Sequence, residues 1–195
     1  MSNKQYSTIA PFYDDIAIVS VNIADPKSPD KPRTFYGAIN KEGIEVVPPI
    51  YNILWLFNEK KAGVCKNDKW GFIDADGKII TECKYNEIWH FSNGMARVKV
   101  KSKWGYINAE GEEVIPSKYD TAFDFKNGTA IVKQNNYYGL IDKQGNVLLP
   151  FEYEMIEPSI NGVRKVKKNG KYLLLNHLGQ IYSSPSEHIN SITKS

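Results

Sequence analysis

Apolar and polar residues alternate in short runs along this chain, and the runs recur at a fixed spacing. Lys69-Trp70-Gly71-Phe72-Ile73-Asp74-Ala75-Asp76-Gly77 returns as Lys103-Trp104-Gly105-Tyr106-Ile107-Asn108-Ala109-Glu110-Gly111 and as Tyr137-Tyr138-Gly139-Leu140-Ile141-Asp142-Lys143-Gln144-Gly145. An earlier copy runs from Phe35 to Gly43 and a worn one from Lys171 to Gly179. The motif aromatics stand at 36, 70, 104, 138 and 172, a period of 34 residues without slippage. A fixed period of this length marks a repeat protein.

Within each copy the period-two alternation predicts strands, and the residues between them predict turns. The tips Asn67-Asp68, Lys101-Ser102, Asn135-Asn136 and Asn169-Gly170 separate two runs, and three of the four hold residues that tolerate the positive φ of a type I′ hairpin. Counting outward from a two-residue tip sets Val64 opposite Gly71, Cys65 opposite Trp70, and Lys99, Lys133 and Lys167 opposite Trp104, Tyr138 and Tyr172. One face then holds Ala62, Val64, Gly71, Ile73 and their counterparts, and the glycine predicts a close backbone approach opposite the valine. The other face holds the aromatic positions and the long lysines. Asp74 to Gly77 and its copies form a second turn, closed by an Asx side chain and a left-handed glycine. A third strand follows, with proline marking its end or an edge in Glu113-Val114-Ile115-Pro116 and Val147-Leu148-Leu149-Pro150. An aromatic connector leads to the next copy.

The first copy departs from the rule. Val19 to Tyr36 spans seventeen residues where Val64 to Trp70 spans six, an eleven-residue insertion. Its Pro-, Asp- and Lys-rich stretch, residues 24–33, reads as a long exposed loop that does not pair as strand. The expected fold is all-β: a tandem array of five three-stranded antiparallel units, open, twisted and solenoid-like, with a closed five-bladed propeller as the alternative. The chain 1–195 reads as a single repeat domain with units at about 9–51, 52–85, 86–119, 120–153 and 154–195, the worn fifth copy serving as a cap.

The Trp-Gly-aromatic-Ile-Asx-x-x-Gly core, followed by a Val-Ile-Pro-like strand and Tyr-Asp, resembles the bacterial WG-repeat family. The resemblance extends from about Ile9 to Ile181; it is intact at Trp70-Gly71 and Trp104-Gly105, weaker where Tyr36 and Tyr138 replace tryptophan, and weakest where Leu173 replaces glycine. It implies a repeat array and no enzymatic activity.

Composition narrows the function classes. A chain of 195 residues, 42% hydrophobic and 12% aromatic, can bury a core. A net charge of +3 and a pI near 8.6 fall short of the basic excess of a phosphate-backbone binder, so nucleic acid is not the expected partner. Met1 to Ala10 lacks an apolar run after a basic segment, and no window approaches the roughly 18 apolar residues of a membrane span. The expectation is a cytoplasmic chain with no membrane span and no cofactor. Cys65 and Cys83 lack ligand partners at metal-site spacing and read as reduced, half-buried thiols.

No catalytic or metal-binding residue is expected, because a catalytic site needs polar residues that break the repeat and converge. Asp74-Ala75-Asp76-Gly77 starts like a calcium loop but lacks the later ligands and terminal Glu, so turn chemistry accounts for it. His90, His177 and His188 lie in different units with no Ser or Cys partner beside them. Binding candidates remain. Lys99, Lys133 and Lys167 either track a nucleic-acid backbone with their facing aromatics or lie across those rings as cation–π pairs worth about 0.5 to 1 kcal/mol; the small net charge favours the second. Trp55, Trp89 and Phe123 form either a stacking platform for a peptide or sugar or, as preferred, the ladder that packs unit on unit. Lys27, Asp30, Lys31 and Arg33 stand in the non-periodic loop, where recognition and a tolerated insertion are even alternatives.

Function is therefore expected to be non-catalytic: a binding module that recognises a protein or peptide along the repeat surface, in a bacterium through toxin neutralisation or complex assembly. The alternatives are a glycan or cell-envelope polymer bound through exposed aromatics, and an enzyme whose polar cluster the sequence does not display.

Overall fold

The structure, a computed structural model, describes residues 5–26, 28–176 and 179–181. Every element is a β-strand, so among the described residues no helix is long and apolar enough to cross a membrane. Five antiparallel meanders follow one another. The first is β1 (Thr8–Ile9), β2 (Ile16–Asp25), β3 (Ser28–Asn40) and β4 (Glu45–Tyr51). The second is β5 (Ile53–Leu54), β6 (Lys61–Lys66), β7 (Lys69–Asp74) and β8 (Ile79–Tyr85). The third is β9 (Glu87–Ile88), β10 (Met95–Val100), β11 (Lys103–Asn108) and β12 (Glu113–Tyr119), and the fourth is β13 (Thr121–Ala122), β14 (Thr129–Gln134), β15 (Tyr137–Asp142) and β16 (Val147–Tyr153). The fifth has three described strands, β17 (Met155–Ile156), β18 (Arg164–Lys168) and β19 (Lys171–Leu175).

Four sheets thus have a strand more than the three expected. In the first sheet the extra strand is Thr8–Ile9, with Ile9 opposite Val19; in the next three it is the start of the connector, where Leu54, Ile88 and Ala122 sit opposite Val64, Val98 and Val132. Two residues are too few for alternation to announce a strand. The hairpins keep the counted register: Val64 faces Gly71, Lys99 faces Trp104, Lys133 faces Tyr138 and Lys167 faces Tyr172. Both tip residues have positive φ at Asn67-Asp68, Asn135-Asn136 and Asn169-Gly170, whereas at Lys101-Ser102 only Lys101 does. In the second turn Asp74 Oδ1 accepts from the amides of Asp76 and Lys78 at 3.0 and 2.8 Å, and Asn108 and Asp142 repeat the arrangement. These oxygens satisfy turn amides.

The third strand does not end at its proline where it has one, as in β4, β12 and β16. It continues to Tyr85, Tyr119 or Tyr153, with its register shifting opposite the glycine of the motif. As the outer strand of its sheet it tolerates a proline and a bulge. The bulge is what approaches Gly71: a Cβ there would lie 2.5 Å from the Thr81 carbonyl oxygen and 2.8 Å from the Glu82 carbonyl. The close approach expected at this glycine is therefore real, but its cause is the third strand and not the valine opposite.

Both faces of the middle sheets are buried, because each sheet is sandwiched between its neighbours. The aromatic face of one sheet packs on the small face of the next: Phe72, Tyr85, Ile88 and Phe91 close on Ala96, Val98 and Ile107. Tyr106, Ile115, Tyr119 and Phe125 close likewise on Ala130, Val132 and Ile141. Hydrogen bonds cross the same joints, Asn58 Nδ2 donating to the Phe91 carbonyl at 3.1 Å and Ser92 Oγ to that of Phe125 at 2.9 Å. Tyr6 covers the small face of the first sheet, formed by Ala17, Val19 and Ile39. The other four clusters each join neighbouring sheets, and among the described residues none joins the first to the fifth, so the array is open.

The first-sheet insertion is not a loop. Asn22 pairs with Thr34, Ile23 with Arg33 and Asp25 with Ser28, so β2 and β3 run on as a two-stranded ribbon. Arg33 Nε donates to Asp25 Oδ2 at 2.8 Å, and Thr34 Oγ1 donates to Asn22 Oδ1 at 2.9 Å. Beyond Thr34 the ribbon lies past the β4 pairing, and among the described residues no strand pairs with that edge of β3, where a proline forfeits no ladder bond.

Candidate binding surface

The surface is built from the outer edge of each sheet, where the short strand hands over to the connector. The residue after that strand donates its amide across the edge, Trp55 to the Gly63 carbonyl at 2.9 Å, Trp89 to that of Arg97 at 3.0 Å and Phe123 to that of Ile131 at 3.0 Å. Geometry therefore holds the Trp55, Trp89 and Phe123 column over the middle of β6, β10 and β14. Trp55 packs partly buried against the joint between the second and third sheets, as the packing-ladder expectation has it, but Trp89 and Phe123 do not fill the joints. Phe57, Phe91 and Phe125, two residues further on, turn inward and fill them, while Trp89 is 49% and Phe123 46% exposed. Alternation places the two aromatics of each connector on one face; only the neighbouring sheet distinguishes the inner one.

Trp55 is the most covered of the three. Its ring lies over Gly63, where a Cβ would come within 2.5 Å, and meets Trp70 at 4.8 Å and His90 at 4.5 Å between centroids. In the third sheet Arg97 stands where Gly63 stood. Its guanidinium lies 4.9 Å from the Trp89 ring and 5.6 Å from the Trp104 ring, each distance to the ring centroid. It is held there by Asp124 Oδ1 at 2.8 Å and by the Ala122 carbonyl at 2.6 Å. Trp89, Arg97, Trp104 and Lys99 thus form one stacked group, with Lys99 Nζ 5.3 Å from the Trp104 centroid and 2.6 Å from Glu87 Oε1. Arg97 was not among the residues singled out by the sequence; comparing the variable column Gly63, Arg97, Ile131 and Lys165 copy by copy is the signal that finds it.

Lys133 lies 5.2 Å from the Tyr138 centroid, and Lys167 lies 5.9 Å from that of Tyr172 and 3.2 Å from Glu154 Oε2. The lysine column is therefore laid across its own rings and partly neutralised by carboxylates. Below it a second column caps the hairpin tips: Asn52, Asn86, Asp120 and Glu154 accept from the amides of Asn67, Lys101, Asn135 and Gly170. The Lys103 ammonium beside Asp120, with the Asn135 amide, holds its carboxyl below its ordinary value; the Gly170 amide and then Lys167 do the same for Glu154.

The ribbon residues sit apart, in the first sheet. Asp30 and Lys31 are exposed, Arg33 is engaged by Asp25, and Lys27 lies outside the described residues. His177 and His188 also lie outside them, while His90 is exposed against Trp55. Cys65 is buried and Cys83 half-buried, both free thiols pushed up in pKa by burial.

The family model described as WG containing repeat matches residues 36–70, 70–104, 104–138 and 138–172. No curated protein matches the sequence. Among solved structures, Hsv2 from Kluyveromyces lactis aligns at 9% identity over 87% of this chain and 59% of that one, with a TM-score of 0.45. A second Hsv2 structure aligns at 10% identity over 90% and 62%, with a TM-score of 0.44. A protein of unknown function from Bacteroides caccae aligns at 10% identity over 93% and 81%, with a TM-score of 0.29. The chain spans about three fifths of the Hsv2 structures it matches.

Proposed function

The chain belongs to the WG-containing repeat family, and from that premise we propose that it is a non-catalytic binding module that recognises a polypeptide along the outer edge of its sheets. The observation that carries this reading is the group at Trp89: a half-exposed indole stacked on Arg97, in line with the half-exposed Phe123 of the next sheet. Large aromatics and arginine supply most of the energy of protein recognition. Asp124 and Glu87 neutralise the edge cations, which favours a peptide over a polyphosphate. Arg97 is positioned before any partner arrives, so little side-chain entropy is lost on binding.

The test is capture from a lysate of the source organism with the full chain and with a Trp89→Ala variant of matched thermal stability. A protein retained by the parent and lost by the variant is the expected result. Binding to a glycan array with no protein captured would sink the reading, as would turnover abolished by changing His90 alone.

A further inference from the structure

The joint between the fourth and fifth sheets is built differently from the two before it. An aromatic pair fills each of those, Phe72 with Phe91 at 4.9 Å and 66°, and Tyr106 with Phe125 at 4.8 Å and 68°. One period later the same two places hold Leu140 and Ser159. The small face opposite, which presents Ala62, Ala96 and Ala130, presents Arg164. Asn58 and Ser92, which bond across the earlier joints, give way to Lys126.

The result is a cleft of about 800 Å³, floored by Ile131, Leu140, Leu149 and Ile156, with Arg164 and Lys126 in its walls. Leu140 keeps 7% exposure where Tyr106 has none. A volume of this order holds a small molecule. Arg164 is half-buried, and its one hydrogen bond among the described residues goes from NH1 to the Glu157 carbonyl at 2.9 Å. No carboxylate pairs with it among those residues, and burial alone pushes its pKa down. Asp124 also lines the cleft, but Arg97 already holds it at 2.8 Å. A guanidinium has five N–H donors in a planar fork, so among the described residues most of those of Arg164 are uncommitted beside an apolar floor, where an unpaired cation is costly.

We propose that this cleft binds an apolar body ending in a carboxylate, either a free acid or the C-terminal residue of a peptide. The hydrocarbon packs on the Ile and Leu floor, and the carboxylate receives paired bonds from Arg164, the geometry in which arginine discriminates best. Lys126 at the wall strengthens the field that draws the anion in. Phe123 and Asp124 border both the cleft and the edge, but Trp89 and Arg97 do not line the cleft, so the Trp89→Ala test and the cleft test are separate.

Isothermal titration of the full chain uses octanoate, with 1-octanol and octylammonium as body-matched controls. A second arm uses an acetylated dipeptide ending in leucine, as acid and as amide. One acid is expected to bind per chain, about tenfold or more tighter than the matched alcohol or amide; the tighter of octanoate and peptide acid identifies the source. Arg164→Ala, which restores the residue of the other copies, is expected to abolish that preference, and Ser159→Phe to close the cleft and abolish binding. Both variants should melt at or above the parent, because each returns the joint to the packing of its neighbours. Failure of both acids, equal binding of the controls, or an unchanged acid preference in Arg164→Ala would overturn the proposal, the last even if Ser159→Phe failed to fold.

Discussion

At Gly71, Gly105 and Gly139 the absent Cβ is demanded by the bulged third strand, and the demand is graded. A Cβ at Gly71 would lie 2.5 Å from a backbone carbonyl oxygen and one at Gly105 closer still, whereas one at Gly139 would lie 3.0 Å away. Gly105→Ala is therefore expected to cost about 3 kcal/mol or more, at the upper end of overpacking, and Gly139→Ala less, as read by urea denaturation. Leu173 fits the same account, since the described residues place no third strand over β19 beyond the Leu175 to Ile181 bridge. A second contrast separates the two connector aromatics. Phe125 is fully buried and Phe123 is 46% exposed, so Phe125→Ala is expected to cost about 3–5 kcal/mol and Phe123→Ala within about 0.5 to 1 kcal/mol. Equal losses would refute the assignment of which ring faces inward. The glycine was legible as a close approach because nothing else explains its recurrence. Its true neighbour was not, because a bulge leaves little local signal: the strand that crowds Gly71 lacks even the proline of the other copies.

At the level of the hairpin, the tips differ in what caps them. Asp120 and Glu154 have lowered carboxyl pKa values in the folded chain, so their contribution is present above the ordinary carboxylate range and is lost as pH falls through the lowered values. Asn52 and Asn86 cap the second and third tips with groups that do not titrate. Between pH 7 and about pH 3, amide protection at Asn135 and Gly170 is expected to fall relative to Asn67 and Lys101, as measured by hydrogen exchange corrected for intrinsic rates. The ribbon of the first sheet makes a different prediction. Replacing residues 22–34 by a two-residue tip should change stability by less than about 1 kcal/mol, because closing a longer loop costs little and the pairs removed are mostly exposed. A larger loss in thermal denaturation would show that the ribbon supports the sheet. Its strand character was illegible from composition, since prolines argue against a strand only where both edges must pair.

Across the whole molecule, each sheet is stabilised by the joints on either side, so stability should accrue joint by joint. A chain ending at Tyr153 keeps the joints filled by Phe57, Phe91 and Phe125 and loses the one that holds the cleft. It is expected to stay folded with a lowered urea midpoint; complete unfolding would mean that the fifth sheet holds the array as a unit. The same dependence on neighbours separates the two halves of the recognition surface. The stacked edge at Trp89 belongs to one sheet and the connector of the next, while the cleft exists only because two sheets meet where Leu140 and Ser159 replace an aromatic pair.

The period, the hairpins, their register and both turn types were determined by the sequence alone. Each is a local matter of alternation, two-residue tips and residues that accept positive φ, settled within about ten positions of the chain. Which aromatics are buried, what crowds Gly71, and where Arg164 finds a pocket were decided only by the tertiary structure. Those depend on atoms brought into contact across a joint or a bulge, and identical residues in adjacent copies differ there because their neighbours differ.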